Sequence, residues 1–306
     1  MAASSKKVIY AALIGNGLIA ITKFIAAAVT GSSAMLSEGI HSVVDTGNQL
    51  LLLYGLRRAK RPADERFPFG HGKEIYFWSF AVAIMIFAVG AGISIYEGII
   101  HLLHPRPIQN AYINYIVLGL AMILEGFAWY FAFTEFSKVK GQRSYVEAVQ
   151  KGKDPTMFVV LFEDSAAMLG LVVAFFGILL SQITGILYFD GMASVGVGLI
   201  LAGTAVWLAY ETKGLLIGES ADRETVQGIR EIACSFKEIQ HVNEVLTLHM
   251  GPDFILANLS VKFVDKVPVG EIEATISKLD KQIKKTFSPV KRVFIEAEAR
   301  LEEGAG

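Results

Sequence analysis

Ser37–Asp45 reads SEGIHSVVD, and it lies inside a run of apolar residues long enough to span a bilayer. On a helix advancing about 100° per residue, Glu38, His41, Asp45, Asn48 and Gln49 share an arc of roughly 100°. Leu36, Ile40, Val43, Val44 and Leu50–Leu53 are left to meet lipid or other helices. An ionisable group at mid-bilayer costs about 2.5–3.5 kcal/mol on insertion scales, so two carboxylates and an imidazole on one stripe need a compensating partner. A cation is the simplest one. The i, i+4 spacing of His41 and Asp45 puts a nitrogen and an oxygen on adjacent turns, the donor types a divalent transition metal takes.

The composition agrees with a membrane setting. The chain is 53% apolar and only 19% charged over 306 residues, with a mean hydropathy of +0.47, too greasy for a soluble domain of this length. The net charge of −1 says little as a total because the charges are segregated, few between residues 8 and 56 and many after Tyr210; no basic patch for nucleic acid is evident, and no nucleic-acid partner is expected. The single cysteine, Cys234, excludes an intramolecular disulfide and a cysteine-based zinc site; it is expected to be a small buried hydrophobe. MAASSKK at the start is followed by a span-length run without a small-residue cleavage site, so no cleavable signal peptide is expected.

Working outward, runs long enough to span occur at 8–30, 33–56, 75–102, 112–135, 156–183 and 190–212, which predicts six transmembrane helices. Basic residues sort to one side: Lys6 and Lys7 before the first span, Arg57–Lys73 between the second and third, and Lys138–Lys153 between the fourth and fifth. The positive-inside rule then puts both termini in the cytoplasm, or in the equivalent matrix compartment. A multi-pass protein of a bacterial inner (cell) membrane is expected.

Lys23 in the first span and Glu125 in the fourth are ionisable groups at membrane depth; Lys23 is expected to snorkel or pair internally. Glycines in the third, fifth and sixth spans let backbones approach. The fifth span places Glu163 and Asp164 side by side, pointing about 100° apart, so one of them aims at a shared site. Their other reading is a salt bridge to Lys23.

After Tyr210 the pattern turns polar. ADRETVQGIREIACSFKEI and VGEIEATISKLDKQIKKTF are amphipathic helices. VNEVLTLHM and FILANLSVKFV alternate around Gly251-Pro252-Asp253 as a hairpin, and KRVFIEAEA is a last strand. The order αββαβ implies a small sheet with both helices on one face.

With these residues in view, the chain resembles the cation diffusion facilitator (solute carrier 30-like) family of divalent-metal/proton antiporters. HSVVD at 41–45 is similar to its second-helix motif, RPADERFPFGHGKEIYF at 61–77 to its loop between helices two and three, and FDGMASVGVGLILAG into TKGLLIGESAD to its sixth helix and exit. Without a histidine-rich loop between helices four and five, and with LFEDSAAMLG, it is most similar to the zinc transporter 9-like branch. The resemblance implies a membrane all-α bundle of six helices (1–212) followed by a cytosolic αββαβ, ferredoxin- or metallochaperone-like dimerisation domain (213–306). It implies a homodimer, and a transport site made of His41, Asp45 and Asp164. The family's other helix-five ligand falls on Val160, so Glu163, Glu38, Asn48 or water is expected to complete the set. Asp64 and His71 match a loop metal site, or else order the GHG turn. In the cytosolic domain Asn258, Glu273 and Glu296 stand where relatives have histidines and Glu298 keeps an acidic match, a weak metal site. His249 is expected to be structural.

The function expected is therefore export of a divalent metal, zinc first and manganese, iron(II) or cobalt after it, in exchange for protons. Histidine near pKa ~6.5 and carboxylates must be deprotonated to bind metal, so metal and protons exclude each other. Alternating access about a midplane site would carry the exchange. The alternatives are an exporter preferring manganese or iron(II), and a metal-sensing scaffold signalling through its cytosolic domain. No enzyme activity and no cofactor are expected; an intramembrane metallohydrolase would need an H-E-x-x-H that the chain lacks.

Overall fold

The computed structural model describes residues 2–108, 110–141, 144–150 and 152–299. Arg143 and Lys151 of the expected basic loop, and the side chains of Lys6 and Lys7, lie outside what is described. The elements run α1 Ala2–Thr30, α2 Ser33–Ala59, α3 Glu74–Leu103, α4 Ala111–Lys140, α5 Tyr145–Gln150, α6 Pro155–Thr184, α7 Tyr188–Ile217, α8 Arg223–Cys234, β1 Ile239–Gly251, β2 Phe254–Phe263, α9 Val269–Thr286 and β3 Val290–Ala297.

Four of these helices are each long and apolar enough to cross a membrane: α3, α4 through Lys138, α6 and α7. The described side chains of α1 give a shorter apolar stretch, Gly15–Thr30, and α2 carries the polar stripe. The outer surfaces fit a lipid surround: Ile116, Leu120, Ile123, Phe127, Tyr130 and Phe131 are all exposed along α4, an apolar face that water would not favour. The inner face of the same bundle closes around Ile19, Met35, Leu118, Leu171 and Ile178.

Local chemistry explains where the helices begin and bend. Asp154 accepts a hydrogen bond from the Thr156 amide, with Pro155 in the first turn, so α6 starts there. Gly185, at φ +71, ends it. Inside α3, Ile86–Ala91 is a π-helical stretch whose next amide, Gly92, reaches Phe87 O; it sets Gly90 against Val44, the residue before Asp45. The α3–α7 contact depends on glycine, because a Cβ on Gly98 would come within 2.7 Å of the Val195 backbone nitrogen. Small residues thus allow the two backbones to touch.

The chain divides into two compact units. One holds the described residues through Arg58 together with Glu74–Lys213; the other holds Ala59–Lys73 and the residues from Gly214 onward. The second unit is an α8-β1-β2-α9-β3 module with sheet order β1-β2-β3, β1 antiparallel to β2 and β2 parallel to β3. The hairpin turns between Gly251 and Phe254. Ile229 and Ala233 of α8 and Leu279 and Ile283 of α9 share one core with Val242, Ala257, Leu259 and Val261, so both helices cover the same face of the sheet.

Two expectations need correction here. A division at 212/213 leaves the α2–α3 loop with the membrane helices, whereas Ala59–Lys73 clusters with the C-terminal module; Gly72 lies so close to the hairpin tip that a Cβ there would collide with the Met250 carbonyl oxygen. Cys234 is exposed rather than buried, because α8 turns Ile229 and Ala233 to the core and the last residue of the helix points away.

Candidate metal centre

The α2 stripe is buried along its whole length: Glu38, His41, Asp45, Asn48 and Gln49 are all at most 1% exposed. His41 Nδ1 lies 3.3 Å from Asp45 Oδ1, one turn on, without hydrogen-bond geometry. Across the helix interface, Asn48 Nδ2 donates to Glu163 Oε1 at 2.7 Å, and the Asp45 and Glu163 carboxyls interact directly. The side chains brought together are therefore His41, Asp45 and Asn48 from α2 and Glu163 from α6.

This pairing answers which of the adjacent acids aims at α2. Glu163 touches α2 through Asn48, while Asp164 is buried beside it. Val160, one turn earlier, is buried as well. Neither acid is bridged to Lys23, which donates to Glu38 Oε2 at 3.0 Å and to Ser42 Oγ at 2.9 Å and lies 3.9 Å from Glu125 Oε1. Glu38 is thus engaged by Lys23 at one oxygen.

Among the described residues, no three His, Cys, Asp or Glu side chains converge as a formed metal cage. The stripe nevertheless holds unspent donors and acceptors. Both His41 nitrogens, Asp45 Oδ1, Asn48 Oδ1, the Gln49 amide and Glu163 Oε2 are buried without a hydrogen-bond partner. Groups of this kind are normally paired, since each costs about 1–3 kcal/mol otherwise. One imidazole and several carboxylate or amide oxygens suit a borderline or hard divalent cation, with the imidazole favouring zinc.

The other candidate positions are arranged differently. In the loop, Asp64 Oδ1 accepts from the Arg66 and Phe67 amides at 3.0 and 2.7 Å, and Oδ2 meets His71 Nε2 at 3.0 Å. The His71 ring, then the Phe67 amide, hold the Asp64 carboxyl below its usual range. Both oxygens of Asp64 serve the turn, which Gly70 completes at φ +82. In the C-terminal module Glu296 accepts from Asn258 Nδ2 at 3.3 Å and Glu298 from the Ser260 hydroxyl, while Glu273 is exposed on α9. His249 is 4% exposed within β1.

Sequence reasoning missed Asp190. It is fully buried at the start of α7, where Ser32 Oγ and the Ser33 amide donate to its two oxygens at 2.6 and 2.7 Å. An acid beside Gly191 in an apolar run was the available signal.

Residues 9–217 match the cation efflux transmembrane domain. The chain belongs to the cation efflux family. Relatives of this cation efflux chain include the protein named proton-coupled zinc antiporter SLC30A9, mitochondrial, of Xenopus laevis, 36% identical over 90% of this chain and 49% of its own length. Its Homo sapiens counterpart is 34% identical over 90% and 48%. Metal tolerance protein C4 of Arabidopsis thaliana is 31% identical over 81% and 55%. The chain thus spans about half the length of the curated relatives it matches. The expected bacterial inner membrane is overturned by these comparisons, because the SLC30A9 relatives that match across 90% of the chain are mitochondrial proteins. Basic-loop charge reports which side of a membrane a loop occupies and is the same for matrix and cytoplasm, so it could not separate the two membranes.

Proposed function

We propose that this chain is a proton-coupled antiporter of divalent metal, with zinc as its main cargo, in a mitochondrial membrane. The observation that carries the reading is the buried junction of His41, Asp45, Asn48 and Glu163 between α2 and α6, with lone pairs left over on both helices. A doubly charged ion offsets the burial of these acids, and protons offset it equally well, so the two compete for one set of atoms. The relatives named as zinc antiporters and the family match supply the direction of the assignment. In this reading α1 and α2 complete a six-helix membrane domain, His41, Asp45, Glu163 and Asp164 hold the ion, and the αββαβ module pairs two copies into a homodimer. Manganese, iron(II) and cobalt are secondary cargo, admitted by the oxygen-rich set.

Proteoliposomes carrying a zinc indicator and an internal pH dye test this. Zinc entering and protons leaving together are expected, with His41→Ala and Asp45→Ala silent while still eluting as folded protein. Glu163→Gln keeps shape and loses charge; it should weaken apparent zinc affinity by about 10- to 100-fold, the range seen when groups around a metal are altered. A folded His41→Ala protein with normal flux would remove the site from this place. Zinc binding without flux would turn the reading toward a metal sensor.

A further inference from the structure

A second buried acid tied to another helix, outside the α2–α6 junction, is Asp190. Its carboxylate is fully buried and accepts two hydrogen bonds at the start of α2, from the Ser32 hydroxyl at 2.6 Å and the Ser33 amide at 2.7 Å, while His101 Nδ1 of α3 lies 3.2 Å away without hydrogen-bond geometry. Ser32 itself accepts from the Met35 amide at 3.2 Å, so it caps α2 and Asp190 backs the cap with both carboxyl oxygens. Charge at that end of a helix is favourable, and charge-assisted hydrogen bonds are roughly twice as strong as neutral ones. One turn further into α2, Ser37 meets the Ser194 hydroxyl, which donates to the Ser94 carbonyl at 2.9 Å. The start of α2 is therefore fastened to α7 and α3, and those two helices are held close at Gly98 and Gly191.

The position of this fastening gives it a task. It sits where α1 passes into α2, where α3 ends and where α7 begins, the end of the bundle opposite the basic loops. His41 lies nine residues after Ser32, about 13 Å along a helix axis. Alternating access requires that a path from a buried site to this end be shut in one state and open in another. The tie centred on Asp190 must part, together with the Ser37–Ser194 contact, for α2 to leave α7 here.

We infer that Asp190 is a positioning residue for transport: its grip on the first turn of α2 keeps this end of the bundle closed over the polar junction, and its release opens that end. The inference rests on the transport reading for its purpose, though the clamp can be tested without it. In a Cys234→Ser background, Ala34→Cys places a thiol in the clamped turn, where Ala34 is 0% exposed. The readout is its rate of labelling by a water-soluble maleimide in the purified full chain. Asp190→Ala is expected to raise that rate about tenfold, the scale of one lost charge-assisted hydrogen bond, and Asp190→Asn to raise it less, since one acceptor oxygen remains. Zinc affinity of the detergent-solubilised protein should stay within about threefold, well short of the loss expected for a ligand, while the maximal transport rate in proteoliposomes falls.

An unchanged labelling rate in folded Asp190→Ala would overturn the clamp. A parallel collapse of zinc affinity would instead put Asp190 in the binding site. If Asp190→Ala fails to fold, Ser32→Ala removes one donor and must speed labelling by itself; no change there also overturns the proposal. Absence of zinc flux in the parent protein would count against the transport reading alone, because labelling still decides the clamp.

Discussion

Lys23 decides how much negative charge α2 presents. Its ammonium is fully buried and bridges Glu38 and Ser42 on one helix, with Glu125 on another. Removing one partner of a buried ion pair is costly, because the carboxylate left behind has neither water nor a counter-ion. Lys23→Met should therefore destabilise the protein by about 3–5 kcal/mol, and adding Glu38→Met should recover most of that loss. Thermal unfolding of both variants in detergent measures it; equal loss in the single and double variants would show that the pair is energetically silent. At this scale the sequence was legible only in part. The stripe that groups His41 with Asp45 follows from helical spacing, which relates residues of one helix to each other. Nothing in that spacing tells Lys23 to choose Glu38 over Glu163, or Asp190 to choose Ser32 and Ser33, because partners on other helices depend on how the helices rotate and pack.

At the scale of elements, the α2–α3 loop behaves as a structured strap. Arg58 grips Glu74 Oε1 through two nitrogens at 3.1 and 2.7 Å, and Trp78 Nε1 donates to Glu74 Oε2 at 2.9 Å, so the loop leaves and re-enters the helices at a closed base. Asp64 organises the interior. Because its folded-state carboxyl titrates below the unfolded value, near 3.9 for a free aspartate, its contribution is intact above that pH and is lost as pH falls through the lower folded value. Amide exchange at Arg66 and Phe67, corrected for its intrinsic pH dependence, should stay protected from neutrality down to about pH 4 and rise only in stronger acid; loss of protection well above that pH would show that Asp64 is not the controlling group. Gly72→Ala is the steric counterpart. Its Cβ would meet the Met250 carbonyl, a backbone atom with little freedom to yield, and overpacking of this kind costs about 1–3 kcal/mol. Faster exchange in the loop and at the hairpin tip together would report it. Gly72 is needed because another backbone lies against it.

For the whole molecule, the αββαβ order was readable because two periods, near 3.6 for the helices and 2 for the strands, alternate cleanly after Tyr210. The membrane part was readable by length and hydropathy for α3, α4, α6 and α7; α2 reads differently because it carries buried polar groups where lipid-facing helices have none. The dimer belongs to this scale too. If the αββαβ module joins two copies, a chain ending at Lys213 should dissociate at concentrations where the full chain remains paired, as sedimentation in detergent would show. An unchanged dimer would assign the contact to the membrane helices.

Ala59–Lys73 and the residues from Gly214 onward form one compact unit, and this has a consequence for the order in which the protein can be made. The strap leaves the ribosome well before the hairpin that receives Gly72 exists, and six further helices, α3 to α8, must be synthesised between the two. Until then Asp64 and Gly70 can form their local turn, but the strap has no surface to dock against. Docking of the strap therefore waits for the C-terminal module. A chain interrupted anywhere before the β1–β2 hairpin would present quality-control proteases with an undocked segment next to Arg57, Arg58, Lys60, Arg61 and Arg66.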